Sequence, residues 1–149
     1  MKMRATGFAA LLLGGACFAD DADRVSLLGA WESTEGTDQG NKVTWQLEAN
    51  GEALHIIYVQ GNQKLAEFTC ATDGRECATK ESGHAAKMSL WYNGSKLVML
   101  ETKGSDVVKR RFGIADAGGQ MDVEMIPIMP TSRAETVHFK RTKTDLPNK

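Results

Sequence analysis

The chain has 149 residues, 42% of them hydrophobic and 25% charged, with a formal net charge of −1. That length and composition fit one globular domain around one core. The near-neutral balance gives no electrostatic case for a nucleic-acid or acidic-membrane partner, because Lys109-Arg110-Arg111 is the one basic cluster and strand alternation divides it between two faces.

The first predicted element is a targeting segment. Met1-Lys2-Met3-Arg4 is a basic start, residues 8–13 are an apolar centre, and Cys17-Phe18-Ala19 sets small side chains one and three residues before Asp20. That is the layout of a secretory signal peptide. The apolar run is shorter than the roughly 20 residues a spanning helix needs, and no later segment approaches that length. Residues 1–19 are therefore expected to be removed, leaving a single domain over 20–149 that is secreted or periplasmic. Anchoring as a lipoprotein through Cys17 is the competing reading, weakened because Gly14 stands where such signals favour leucine.

From there a pattern of alternating apolar residues followed by a turn recurs to the end of the chain, with no long helical stretch. A first strand is expected near residues 27–34. Val43, Trp45 and Leu47 alternate with polar residues before Asn50-Gly51, and a turn centred on that pair sets Leu47 against Leu54, Trp45 against Ile56 and Val43 against Tyr58. At Gly61-Asn62 a three-residue loop keeps the apolar faces together, pairing Tyr58 with Ala66, Ile56 with Phe68 and Leu54 with Cys70. Cys70 and Cys77 flank an Asp73-Gly74 turn. A hairpin with the loop Thr72–Arg75 closes on Ala71 and Glu76 and makes the cysteines a close, non-hydrogen-bonded pair, the geometry a disulfide favours. Two thiolates with no nearby His or second Cys pair fall short of a metal site.

Asn93-Gly94 sets Leu90 against Leu97 and Met88 against Met99, while Lys103-Gly104 sets Met99 against Val108 and Leu97 against Arg110. After a loop at 116–119, Ile114 meets Met121, Phe112 meets Val123 and Arg110 meets Met125. A last strand offers Val137 and Phe139 to Met125 and Val123. About ten strands in antiparallel, up-and-down order, with one apolar face throughout, predict an all-β meander closed into a barrel. A two-sheet β-sandwich is the alternative. The tail from Thr142 reads as solvated.

Gly29-Ala30-Trp31 resembles the Gly-x-Trp signature of the calycin superfamily, which includes lipocalins, fatty-acid-binding proteins and avidins, and Arg141 resembles the basic residue that packs over that tryptophan. Gly51-Glu52-Ala53-Leu54, Thr72-Asp73-Gly74-Arg75-Glu76 and Trp91-Tyr92-Asn93-Gly94-Ser95-Lys96-Leu97-Val98 resemble small secreted lipocalin-like proteins of bacteria, a group without one assigned function. The resemblance spans residues 28–141 and implies a lipocalin-like barrel in which Trp31 and Arg141 form a clasp at the closed end. The chain departs from the eukaryotic pattern in lacking a helical lid after the first strand.

No Gly-x-Ser-x-Gly, His-Glu-x-x-His or nucleotide-phosphate loop is present, and Gly36–Lys42 precedes a strand where such a loop would precede a helix. His55 and His138 fall out of phase with the apolar face, as do Asp122 and Glu124. The expectation is a protein that is not an enzyme and carries no metal or cofactor. The inward positions are Trp45, Tyr58, Met88, Met99, Phe112, Val123 and Met125, with Arg110 among them. Methionine conforms to irregular apolar ligands, and a buried guanidinium needs an anionic partner, so these residues suit a small hydrophobic or amphipathic anionic molecule such as a fatty acid. A self-filled barrel in which Arg110 pairs with an internal acid is the competing reading. The other reading, from a different class, is a protein-binding module, an envelope inhibitor, assembly partner or homodimer, acting through an apolar outer patch of Trp91, Val98, Leu100, Val107 and Ile57.

Overall fold

The computed structural model describes residues 17–35 and 41–143. The basic start and apolar centre of the expected signal segment, most of the 36–42 connection and the last six residues of the tail lie outside the described residues. The chain forms a short helix α1 (Cys17–Ser26) and ten strands: β1 (Gly29–Ser33), β2 (Val43–Asn50), β3 (Ala53–Gln60), β4 (Gln63–Ala71), β5 (Asp73–Glu81), β6 (His84–Asn93), β7 (Lys96–Lys103), β8 (Asp106–Ala115), β9 (Gln120–Met129) and β10 (Glu135–Arg141). One antiparallel sheet contains them all, in the order β4-β3-β2-β1-β10-β9-β8-β7-β6-β5. Sequential neighbours other than β4 and β5 therefore pair as in a meander, and the link between β1 and β10 curls the sheet into a nearly closed barrel. The sandwich alternative is excluded by the single sheet.

The faces follow the alternation, but most registers differ from the expected ones by two residues. The turns are centred on Gly51-Glu52, Gly94-Ser95 and Gly104-Ser105, so that Leu47 opposes Ile56, Trp45 opposes Tyr58, Leu90 opposes Met99, Leu97 opposes Phe112 and Met99 opposes Arg110. Each glycine has φ of +60° or +61° and the residue after it does not have positive φ, which is the pattern of a type II′ turn with glycine first. An Asn-Gly or Lys-Gly centre would instead require positive φ at Asn or Lys. Moving a turn by one residue shifts the pairing by two, and since side chains alternate with period two, the same residues stay inside.

The Gly61-Asn62 turn gives the expected pairs by another route: it is a two-residue turn followed by a bulge at Leu65, which restores Tyr58 to Ala66. The pairs of β8 with β9 are those expected, while Val137 and Phe139 oppose Val123 and Met121 in place of Met125 and Val123.

Cys70 and Cys77 are joined by a disulfide with Cα atoms 5.8 Å apart. The hydrogen-bonded hairpin expected around it does not form. β4 and β5 are the two edges of the sheet, and among the described residues no ladder joins them. β5 instead directs its backbone to β6, with an irregularity between Asp73 and Glu76. The seam is spanned by the disulfide, by Ser82 N–H donating to Leu65 O at 2.8 Å, and by Thr79 Oγ1 donating to Glu67 O at 3.5 Å.

α1 was not legible as a helix, and it runs across the expected cleavage point between Ala19 and Asp20. It covers the barrel end formed by the β6–β7 and β8–β9 turns. Arg24 Nε donates to Gly94 O at 2.8 Å and its guanidinium lies 4.7 Å from the Tyr92 ring centroid. Leu27 is fully buried directly beyond the helix, and its carbonyl accepts from Trp31 Nε1 at 2.9 Å. Arg141 completes this end. Its guanidinium lies 4.2 Å from the Trp31 ring centroid and donates to Ser26 O, Leu28 O and Gly118 O. Gly29 has φ of +123°, and a Cβ there would stand 3.1 Å from Arg141 Nη1, which explains the glycine two places before the tryptophan.

Candidate functional site

The barrel has two unlike halves. Toward α1 the inward residues Trp31, Leu47, Ile56, Leu90, Leu97, Phe112, Met121 and Phe139 are fully or almost fully buried and form the core. Toward the other end, which carries the β3–β4, β5–β6 and β7–β8 turns, the inward face changes character. There the alternation Leu97, Met99 continues to Glu101 and Lys103, and the series Cys77, Thr79 continues to Glu81. Glu81, Glu101 and Arg110 are all buried, at 8%, 6% and 9% exposure. The inward face is therefore not apolar over its whole length, as the sequence reading assumed.

All eight expected inward residues, Val123 included, face this interior. Trp45 stacks on its cross-strand partner Tyr58 with ring centroids 4.3 Å apart, and meets Phe112 edge-on at 5.2 Å. Arg110 stands between Met99 on β7 and Met125 on β9, with its guanidinium 5.9 Å from the Trp45 ring centroid. Met88 opposes Glu101. Met88, Met99, Phe112 and Trp45 are buried, whereas Tyr58 and Met125 are half-buried toward the open end.

Arg110 faces an internal acid. Its Nη1 lies 3.6 Å from Glu101 Oε1, an ion pair too long for a hydrogen bond, and Nη1 has no hydrogen-bond partner among the described residues. Glu81 Oε2 is likewise without one, the Lys103 ammonium standing 3.5 Å away. Burial, reinforced by a hydrogen bond with Glu81, pushes the Glu101 carboxyl up to about 7 against the pull of Arg110. Burial works to raise the Glu81 carboxyl too, but the hydrogen bond from Glu101, together with Lys103 and Arg110, holds it below the usual carboxylate range. Burial raises the Tyr58 hydroxyl, opposed by Arg110 and supported by Glu81 and Glu101. With Glu101 protonated, two cations face one carboxylate, and the cluster carries one excess positive charge.

Glu81, Glu101 and Lys103 were missed because the alternation was followed only as far as its apolar members. The signal was present: two further steps along β7, and two further inward steps from Cys77 along β5, reach them.

Outside the barrel, Val98 is buried despite facing outward, since its cross-strand neighbours Trp91 and Arg111 are both larger and flank it. Trp91, Leu100 and Val107 are half-buried. Ile57 lies on β3, separated from β6 by β4 and β5 across the seam, and does not join them. The continuous exposed patch expected from these five residues does not form. The outward histidines are paired with acids, His55 with Glu48 and Glu67, and His138 with Asp122 at 2.7 Å. Among the described residues no group of three or more His, Cys, Asp or Glu could hold a metal ion, and no helix is long and apolar enough to cross a membrane.

No family model and no curated protein matches the chain. Solved structures do. A secretory abundant heat soluble protein from Ramazzottius varieornatus is similar with a TM-score of 0.66 at 14% identity, over 78% of this chain and 96% of that one. A Schistosoma mansoni fatty acid binding protein in complex with arachidonic acid is similar with a TM-score of 0.66 at 17% identity, over 81% and 99%. Echinococcus granulosus fatty-acid-binding protein 1 is similar with a TM-score of 0.64 at 9% identity, over 80% and 99%. At such identities the likeness concerns the fold alone: like those proteins, this chain is a nearly closed barrel of ten antiparallel strands in up-and-down order.

Proposed function

We propose that the protein binds a small amphipathic, anionic molecule without turning it over, holding the head group at Arg110 and the apolar part against Tyr58, Trp45 and Met125. The observation that carries this reading is the buried Nη1 of Arg110, which among the described residues has no hydrogen-bond partner and only a 3.6 Å ion pair with Glu101, set beside Trp45, Met99 and Met125 in the half of the barrel away from α1. Leaving such a donor unmatched is costly, and a ligand carboxylate or sulfonate would satisfy it. The fold supports the same reading: the Schistosoma neighbour was solved with arachidonic acid, and others are named as fatty acid transporters or fatty-acid-binding proteins. The disulfide fits an oxidising compartment, and we extend the proposal to a secreted or periplasmic carrier.

The test is titration of wild type and Arg110→Met with a fluorescent fatty acid. Saturable binding that weakens at least several-fold in Arg110→Met, with the apo fold retained, supports the proposal. Equal affinity in the two proteins, or no binding across a panel of chain lengths, overturns it.

A further inference from the structure

We infer that the site takes its anionic ligand together with one proton: the carboxyl pair Glu81–Glu101 holds the proton, and the head group occupies the place beside Arg110 that an ionised Glu101 would otherwise neutralise. This rests on the proposed binding function and specifies its chemistry.

Charge balance sets the constraint. When every group is ionised, Arg110 and Lys103 face Glu81 and Glu101, two charges against two. A ligand anion added to that set would be a third negative charge at a site where three of the four residues are nine-tenths buried or more. Uncompensated charge is costly in such surroundings. Protonating one carboxyl removes the excess, and the cluster is arranged to accept that proton. Glu101 is the more buried of the two acids and faces Arg110 only at 3.6 Å, so its neutral form is favoured there, while Lys103, 3.5 Å from Glu81, keeps Glu81 ionised. Neutral Glu101 makes a weaker claim on Arg110, whose Nη1 is already at 3.6 Å and without a hydrogen bond.

The surroundings supply few competitors. Tyr58 of β3 faces the cluster, and Trp45 of β2 is uncharged. At the rim, His84, Asp106 and Glu135 share the inward phase of β6, β8 and β10, since they oppose Glu81, Lys103 and Met125, but all three are exposed.

The experiment uses two probes with the same aromatic body. 1-Anilinonaphthalene-8-sulfonate stays ionised at all working pH values, and N-phenyl-1-naphthylamine lacks the sulfonate. A carboxyl titrating near 7 passes from about one-tenth to about nine-tenths protonated between about pH 8 and about pH 6, so wild-type affinity for the sulfonate should tighten roughly tenfold over that interval. Affinity for the naphthylamine should not change. Glu101→Gln should bind the sulfonate tightly with no pH dependence, and His84→Ala should behave as wild type. A flat sulfonate profile in wild type, an undiminished slope in Glu101→Gln, or loss of the slope in His84→Ala overturns the inference while leaving the binding function standing. If neither probe binds, or neither is displaced by decanoate, the binding function falls and the inference with it.

Discussion

Breaking the Cys70–Cys77 bridge should act in two separable ways. The cysteines are seven positions apart, and the chain-entropy relation for so short a loop gives about 2.5 kcal/mol of stabilisation through the unfolded chain. In a domain of this size that corresponds to a fall in Tm of about 10 °C, without loss of the fold. The bridge also closes a seam that, among the described residues, no backbone ladder closes and that Ser82 to Leu65 and Thr79 to Glu67 help to span. Reduction should therefore open β4 and β5 before it opens anything else. The assay is a thermal melt with and without reductant, combined with amide hydrogen exchange below the transition. Exchange should accelerate in β4 and β5 and stay unchanged in β8 and β9, which are paired on both sides. An unchanged Tm, or acceleration as large in β8 as in β5, would refute the view of the bridge as a seam closure.

Replacing Trp31 with Phe and Arg141 with Met in a double-mutant cycle should give a coupling of roughly 0.5–2 kcal/mol, as expected for a cation–π pair; zero coupling would show that the guanidinium serves only the carbonyls of Ser26, Leu28 and Gly118. Glu101 should make stability depend on pH. Its carboxyl rises from 4.5 unfolded to about 7 folded, so the folded state keeps a proton that the unfolded chain releases; the resulting penalty is absent below about pH 4.5 and complete above about pH 7, on the order of 3 kcal/mol. Glu81, held below its usual range, works in the opposite sense, contributing stability that is lost as pH falls. Urea denaturation of wild type and Glu101→Gln at about pH 5 and about pH 8 checks this: the variant should gain relative to wild type only at the higher pH, and an equal difference at both would contradict it. Intact mass of the exported protein should correspond to a chain beginning at Asp20 with two hydrogens missing; a mass beginning at Met1, or a lipid on Cys17, would contradict the proposed processing.

Much of the barrel was legible in the sequence because its signals have period two. Val43-Trp45-Leu47, Leu54-Ile56-Tyr58 and Arg110-Phe112-Ile114 declare their faces whatever the turn geometry, so a turn misplaced by one residue moved partners and left the core intact. The turns were harder. Asn50-Gly51 and Gly51-Glu52 are both acceptable two-residue centres, and the choice between them is made by non-local contacts such as the stack of Trp45 on Tyr58. The open seam was illegible for a related reason: the Asp73-Gly74 turn and the cysteine spacing describe a hairpin locally, but β5 is committed to β6. α1 is short and its most outward apolar residue, Val25, is 67% exposed, so it left little periodic signal. In the site, Arg110 stood out as a charge on an apolar face. Glu81 and Glu101 did not, because acids near strand ends ordinarily belong to the solvent side.

The most direct test of the binding proposal is an isotope-filtered NOE experiment on the labelled protein with an unlabelled fatty acid. Cross-peaks from the ligand chain to the Met125 methyl and the Tyr58 ring, with a shifted Arg110 Nε–H resonance, are the predicted result, since these groups surround the guanidinium in the half of the barrel away from α1. Cross-peaks confined to Val25 and Leu28 beside α1, or to Trp91 and Leu100 on the outer face, would place the ligand elsewhere and contradict the proposal.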